Sequence, residues 1–191
     1  MINLTKRSFF IALACGVFAL TTADVYAAKE KTEDELIADL ASPKDGVVAD
    51  AMLKLEKQFP TSTKWQPTVK KMLTDSRTKV RRKAGRVLGA IHAEVSAEDL
   101  KNIVAMFKAA EPEEAMDALK SLRGLKAEST LPDILPLLQN SNSGIVRDAC
   151  RTIAVLGDKS HVSAIEPLLK HADPKVQKDA ADAIFALKAK S

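Results

Sequence analysis

The sequence predicts an all-α fold, an α-solenoid of about five stacked helix pairs that follows a cleaved signal peptide. Three observations predict it. The first residues have the layout of an export signal, an apolar pattern recurs every 31–34 residues in the rest of the chain, and there are only seven glycines in 191 residues. So few glycines argue against a turn-rich β protein, and the 46% hydrophobic and 28% charged content is that of a globular chain rather than a disordered one.

Residues 1–27 have the three parts of a secretory signal. Lys6 and Arg7 form a basic start, residues 8–20 are apolar and uncharged, and Val25 and Ala27 are the small residues expected before a cleavage site. We therefore expect cleavage after Ala27 and export of the mature chain, into the periplasm of a bacterium. The apolar run is too short to span a bilayer, so no transmembrane segment is expected after cleavage.

Two alternatives to this signal peptide stay open. One is a buried N-terminal helix. The other is a lipid anchor on Cys15, which the preceding residues do not favour because Ala12 stands where a leucine is expected three positions before the cysteine.

Cleavage would leave Cys150 as the single cysteine of the mature chain. An exported protein with one cysteine has no internal disulfide, so its stability has to come from packing. We interpret Cys150 as a small buried residue. Residues 28–33 form a short polar segment, and residues 34–191 form the repeat domain.

Five registers of one apolar pattern make up this domain. They begin at Leu40, Leu73, Phe107, Leu138 and Leu169. Counted from these residues, offsets 7, 11, 15 and 18 are apolar except at Glu114 and Gln58, and they lie on one face of an α-helix. Offset 11 is always alanine, which indicates a close approach of two helices: Ala51, Ala84, Ala118, Ala149 and Ala180. Each repeat therefore ends in a helix, B, and a shorter apolar helix, A, precedes it.

Capping residues mark where the helices should begin and end. Expected starts are the pairs Ser42-Pro43, Glu111-Pro112 and Asp173-Pro174 for B helices, and Thr32 with Glu35, Ser96 with Asp99, and Thr130 with Asp133 for A helices. Gly124 and Gly157 lie where B helices are expected to stop.

The last two repeats resemble HEAT repeats of the short, phycobilisome-lyase-like type. The similarity is carried by Leu156-Gly157-Asp158, residues 164–169 and residues 173–177, and again by residues 136–138 and 145–149. The resemblance extends over residues 34–189. It implies an armadillo/HEAT-type superhelix of five helix pairs whose B helices line the concave side, and it says little about function.

Enzymes of this repeat class provide no chemistry that carries over. The di-iron hydroxylases among them use His-Glu pairs, but His92, His161 and His171 are followed by Ala, Val and Ala. Bilin lyases and HEAT-like DNA glycosylases work inside cells, which conflicts with an export signal. Three scattered histidines and one cysteine do not make a typical transition-metal site. We therefore expect no catalysis, no cofactor, no metal and no small-molecule substrate.

The outer face of the B helices is the candidate binding surface. Offsets 9, 13 and 16 lie opposite the buried stripe and are mostly basic or apolar, with Gly89 among them. The expected partner-binding residues are Arg82, Arg86, Lys120, Arg123, Arg147, Arg151 and Lys178, with Leu53, Met116 and Phe185 as apolar contacts.

Residues 64–86 contain nine basic residues and a single acidic one, Asp75, which gives this segment a net charge of +8. Beyond Arg82 and Arg86, the nine are Lys64 and the residues of the predicted basic patch, Lys70, Lys71, Arg77, Lys79, Arg81 and Lys83. They predict either a site for a polyanion or an acidic partner, or a solvated face neutralised by ion pairs with neighbouring repeats.

A column of aspartates at offset 10 favours neutralisation. It contains Asp50, Asp117, Asp148 and Asp179. Asp117 can pair with Lys120, and Asp148 with Arg151, three residues on. Lys83 replaces the aspartate in repeat two, so neutralisation is expected to fail there.

The leading hypothesis is an exported, non-catalytic scaffold that binds another protein on its B-helix face. The alternative is a polyanion-binding module that holds an acidic envelope polymer, a lipid headgroup or a nucleic acid through the basic patch. An enzyme accessory or inhibitor is a third hypothesis.

Overall fold

The computed structural model describes residues 30–190, and within that range every regular element is helical. Five A/B helix pairs follow one another, which confirms the predicted α-solenoid. The A helices are α1 (Glu33–Asp39), α3 (Gln66–Lys71), α5 (Ala97–Ala105), α7 (Leu131–Ile134) and α9 (Val162–Ile165). The B helices are α2 (Asp45–Gln58), α4 (Thr78–Ala90), α6 (Pro112–Gly124), α8 (Ser143–Leu156) and α10 (Pro174–Ala189).

Short 3-10 turns extend four of the A helices and lead into the following B helix. They are Met72–Thr74, Met106–Lys108, Leu135–Gln139 and Glu166–Lys170; two more, Glu128–Thr130 and Lys159–His161, precede α7 and α9. The predicted signal peptide and Cys15 lie outside the described residues. Between residues 30 and 190, no helix combines the length and the apolar character needed to cross a membrane.

The core is the predicted stripe of the B helices. All five alanines of offset 11 are at most 1% exposed, so consecutive B helices approach closely along this line. Phe107, Ile91 and Leu125 of the predicted stripe are half-buried, and two other positions differ more clearly from the expected pattern. Leu169 is 44% exposed, and Val48 is fully buried in place of its half-buried neighbour Val47. Cys150 is fully buried, as predicted.

Some of the predicted helix starts are confirmed. Ser96 and Asp99 form a reciprocal capping box at α5. Asp173 accepts a hydrogen bond from the backbone N–H of Lys175, and Pro174 is the first residue of α10. Pro112 is likewise the first residue of α6, although Glu111 makes no side-chain cap.

Two predicted caps are wrong. Ser42 lies too early, because α2 begins at Asp45 after an N-cap at Lys44. The Thr130 hydroxyl donates to the Ala127 carbonyl instead of accepting from the start of α7. The cap of α8 is Asn142, which sequence reasoning missed.

The ends of α4 and α6 are formed by residues other than glycine. His92 and Lys126 adopt left-handed backbone, with φ of 52° and 53°. After α6, the Ala127 N–H donates to the Leu122 carbonyl at 3.1 Å, the bond that closes a helix end of this kind. Gly124 is the last residue of α6 and does not supply the left-handed turn, whereas Gly157 is the C-cap of α8, as expected.

Gly89 and Gly124 instead allow α4 and α6 to touch backbone to backbone. A Cβ atom at Gly124 would lie 2.5 Å from the Gly89 carbonyl oxygen, and one at Gly89 would lie 2.9 Å from the Ser121 Cα. Gly89 is therefore buried between two helices, and its predicted place on the outer face is wrong.

Candidate functional site: the outer face of the B helices

The outer face of the B helices carries the ten predicted partner-binding residues. We call this surface the ridge. Arg86, Lys120, Arg151 and Lys178 are exposed on it, and Arg82, Arg123 and Arg147 are half-buried. Of the apolar residues, Leu53 and Met116 are half-buried, while Phe185 on α10 is 79% exposed.

Ion pairs join consecutive B helices along the ridge, and we call this series the ladder. Arg82 Nε on α4 lies 2.8 Å from Asp117 Oδ2 on α6. Lys120 Nζ on α6 lies 3.8 Å from Asp148 Oδ2 on α8. The last rung joins α8 to Asp179 on α10.

That last rung has two cations on one carboxylate. Arg147 Nε lies 2.7 Å and Arg151 Nη2 lies 3.0 Å from Asp179 Oδ2. Burial works to raise the pKa of Asp179, but the hydrogen bonds from the two arginines outweigh it, so the pKa is below its ordinary value. Asp179 is therefore ionised at neutral pH and links α8 to α10.

The ladder aspartates are buried although they are charged. Asp117, Asp148 and Asp179 are 6%, 5% and 7% exposed, because offset 10 lies at the edge of the buried stripe, next to the alanine. The predicted pairs within one helix exist, with Asp117–Lys120 at 3.6 Å and Asp148–Arg151 at 3.5 Å. Three of the four pairs between helices are shorter than these, so the ladder mainly fixes one repeat against the next.

Glu114, which breaks the apolar pattern, is held by Arg81 of the preceding repeat. Its side chain is 2% exposed, and Arg81 donates to both carboxylate oxygens at 2.7 and 3.0 Å. The same guanidinium donates to the Asp75 and Ser76 carbonyls, and the hydrogen bonds to Glu114 raise the pKa of Arg81. Arg81 is thus a structural link between repeats two and three.

The basic patch does not form one surface. Arg77 is paired with Asp75 at 2.8 Å and reaches Asp45 at 3.6 Å. Lys70 and Lys71 lie on the A helix α3, whereas Lys79 and Lys83 lie on α4. The unneutralised part of the patch on the B helices is therefore small.

The ladder has no rung between α2 and α4. At offsets 9 and 13, α2 carries Ala49 and Leu53 where later helices carry cations, and Lys83 stands in place of the aspartate. Within residues 30–190, no carboxylate lies within 4 Å of the side-chain cations of Lys79, Lys83 or Arg86. Neutralisation fails in repeat two at these residues but not at Arg81 and Arg82, where the expectation was wrong.

These three cations border a shallow depression of about 220 Å³, which we call the basic pocket. Its lining consists of Ala49, Lys79, Arg82, Lys83, Arg86 and Asp117. Arg123 on α6 also has an unpaired nitrogen. Its Nη1 is shielded from solvent and has no hydrogen-bond partner among the described residues. No pattern in the sequence distinguishes Arg123 from the other ridge cations.

Among residues 30–190, Cys150 is buried and two of the histidines are held in local structure. In the described part of the chain, no three His, Cys, Asp or Glu side chains are grouped so that they could hold a metal ion. Burial raises the pKa of the Cys150 thiol to about 12, which leaves it protonated. His92 Nδ1 lies 2.6 Å from the Gly124 carbonyl oxygen, and His161 contacts Asp158 at 2.9 Å, so both take part in helix-end structure.

The A-helix side has grooves, the largest described one being about 610 Å³ between repeats four and five. Its lining is mostly proline, leucine and alanine and includes no ionisable side chain. A groove of this kind can accept apolar groups, and its lining has no acid or base beside the Ser163 hydroxyl.

Solved structures with the same architecture include proteins of different origin. The complex of CpcE and CpcF of phycocyanin lyase from Nostoc sp. PCC7120 matches with a TM-score of 0.71 and 19% identity, over 86% of this chain and 68% of that one. An engineered protein matches with a TM-score of 0.65 and 20% identity, over 81% and 80% of the two chains. A designed armadillo repeat protein matches with a TM-score of 0.58 and 18% identity, over 84% of each chain.

These likenesses confirm the predicted resemblance at the level of the fold, an α-solenoid of HEAT/armadillo type. No family model matches the sequence, and no curated protein matches it either. The similar structures include a lyase and designed repeat proteins, so the fold alone does not decide between enzyme and scaffold.

Proposed function

We propose that this HEAT/armadillo-type α-solenoid is an exported, non-catalytic scaffold that binds another protein along its ridge. The observation that carries the proposal is the ladder. It fixes α4, α6, α8 and α10 against one another through buried aspartates, while the apolar side chains of Met116 and Phe185 remain accessible between them. A surface that is rigid before binding loses little entropy when a partner docks.

The absence of catalysis is part of the proposal. It is supported by the protonated, buried Cys150 and by the structural roles of His92 and His161. Export is supported by residues 1–27 of the sequence, and the bacterial periplasm is the compartment that we propose.

A polyanion-binding module is the second candidate function. It is supported by Lys79, Lys83 and Arg86, which have no neutralising carboxylate among the described residues. The two candidates differ in where binding should be lost, because a polyanion depends on repeat two while a protein partner also depends on apolar ridge residues.

The binding test uses the mature chain as bait in an envelope extract, with two matched variants. Phe185→Asp places a charge on the ridge, and Leu169→Asp places the same charge on another exposed apolar residue, in the 3-10 turn that follows α9. We expect a partner that is retained by the native chain and by Leu169→Asp but is lost with Phe185→Asp. Melting curves of both variants check that the fold is unchanged.

A partner set that is identical for all three baits would contradict ridge binding. Loss with Leu169→Asp alone would place the interface on the A-helix side instead.

Intact-mass measurement tests export. The secreted product should have the mass of a chain that begins at Ala28. A mass that includes residues 1–27, or a lipid on Cys15, would contradict the proposal of a soluble periplasmic protein.

A further inference from the structure

The first interface of the solenoid lacks both charges of a ladder rung and has a lysine in place of the aspartate. Between later B helices, a cation at offset 9 or 13 meets an aspartate at offset 10 of the next repeat, as Arg82 meets Asp117 at 2.8 Å. Between α2 and α4, the cation position holds Ala49 and the aspartate position holds Lys83. A rung cannot form there, and a positive charge lies where the other interfaces have a negative one.

Three cations therefore share the basic pocket without an ion-pair partner, because the one carboxylate in its lining, Asp117, is paired with Arg82 and Lys120. Lys79, Lys83 and Arg86 are spaced four and three residues apart on α4, which places them on one face of the helix. Arg82 beside them is already paired with Asp117. The Ala49 side chain borders the opening and leaves room where an arginine would otherwise extend from α2.

We propose that the basic pocket binds an acidic side chain of the protein partner, whose carboxylate completes the missing rung. This inference rests on the proposed scaffold function and specifies the chemistry of its partner. At each of the later interfaces, an aspartate carboxylate pairs with the cations at the corresponding position. These carboxylates belong to Asp117, Asp148 and Asp179. Hydrogen bonds between cations and a carboxylate are about twice as strong as neutral ones, so one acidic residue gains most where several cations are unpaired.

The charge distribution favours an acidic peptide over a long polyanion. A polyanion gains affinity from many unneutralised cations along its path, each of which releases counterions. Beyond the pocket, Lys120, Arg147 and Arg151 lie within 4 Å of buried aspartates, so little free charge is left for such a path. The half-buried Leu53 of α2 and Met116 of α6 offer apolar contacts that a polyphosphate backbone cannot use.

The test measures binding of defined probes to the mature chain by fluorescence anisotropy. The probes are a labelled peptide of alternating glutamate and leucine, its glutamine–leucine counterpart, and inorganic polyphosphate as a competitor. The key variant combines Ala49→Arg with Lys83→Asp, which builds the missing rung on the pattern of Arg82 and Asp117. The control is Lys188→Ala, because it changes the net charge by the same amount at an exposed residue outside the ridge.

We expect the native chain to bind the glutamate peptide at least about tenfold more tightly than the glutamine peptide. The rung-building variant should lose at least about tenfold in affinity for the glutamate peptide, with an unchanged or raised melting temperature. Lys188→Ala should bind like the native chain, and the affinity of both should fall between about 0.05 M and about 0.3 M NaCl.

Equal affinity for the two peptides, or undiminished glutamate-peptide binding by the rung-building variant, would overturn the inference. So would tight binding of polyphosphate without binding of the glutamate peptide, because the pocket would then hold a polyanion. The extract experiment separates this inference from the proposed function. A ridge-dependent partner that the rung-building variant still retains would remove the inference and leave the scaffold function standing.

Discussion

Replacing Gly124 with alanine tests the backbone contact between α4 and α6. Alanine normally stabilises a helix by up to about 1 kcal/mol relative to glycine. Here the new Cβ would lie 2.5 Å from the Gly89 carbonyl oxygen and 2.8 Å from its carbon, which are backbone atoms that no side-chain rotation can move. Overpacking of this kind costs about 1–3 kcal/mol, so the clash outweighs the gain, and a net loss of about 1–2 kcal/mol is expected.

The matched control is Gly46→Ala in the first turn of α2, where a Cβ atom would meet nothing within 4 Å. This variant should be stabilised by up to about 1 kcal/mol. Urea denaturation at neutral pH measures both, and the melting temperature of Gly124→Ala should fall by about 2–8 °C. If Gly124→Ala is as stable as Gly46→Ala, the backbone contact between α4 and α6 does not exist as described.

Three further predictions concern other features of the chain. Lys126→Gly should stabilise the protein by about 1 kcal/mol, because glycine adopts the left-handed backbone at that position without strain, and chemical denaturation would show it. Asp179→Asn should cost about 1–3 kcal/mol at pH 7, since it leaves Arg147 and Arg151 without their carboxylate. The folded-state pKa of Asp179 is lowered, so its contribution is present above about pH 4 and the difference from the native chain should shrink as the pH falls further, in melts recorded against pH. Cys150 should react with a thiol reagent only after unfolding, and fast labelling of the native protein would contradict its burial.

The apolar period was sufficient to predict the fold because each repeat has to bury the same stripe. All five alanines of offset 11 are buried, and each B helix lies where its register places it. Local polar chemistry was less predictable. Ser42 has the residue type of a cap but lies before the N-cap residue Lys44, and Thr130 is at the N-cap of α7 but donates its hydroxyl to the Ala127 carbonyl. The sequence does not show the backbone direction that decides these bonds.

Glycines show the same limit more sharply. Gly124 lies at the end of α6 as predicted, but the left-handed backbone there belongs to Lys126, and Gly124 and Gly89 provide a contact between two helices at positions 35 residues apart in the chain. The contact depends on how two repeats stack, and no pattern within one repeat encodes it.

For the ridge, the sequence allowed ion pairs with neighbouring repeats but indicated individual partners only within one helix. The spacing of Asp117 and Lys120 is visible in one helix, whereas the pair of Arg82 and Asp117 requires the stacking of α4 on α6. Arg82 therefore has a structural role, although the sequence predicted it to be a partner-binding residue like Arg86. A charge reversal at Arg82 would break a rung and destabilise the solenoid, so it cannot serve as a neutral test of binding, whereas Lys83 can be changed without removing an ion pair to a described residue.

The ladder also explains why the binding chemistry would be concentrated at one interface. An ion pair that fixes two repeats neutralises charges that a partner could otherwise recognise. Between α2 and α4 the rung is missing, and the two helices are held by apolar packing, with Val48 and Met52 fully buried on α2, and by the pair of Arg77 and Asp45 at their first turns. Neither contact neutralises Lys83 or Arg86, which is why we propose that a partner binds these two cations. The interface without a rung is for this reason the one at which we propose that a carboxylate of the partner pairs with these cations.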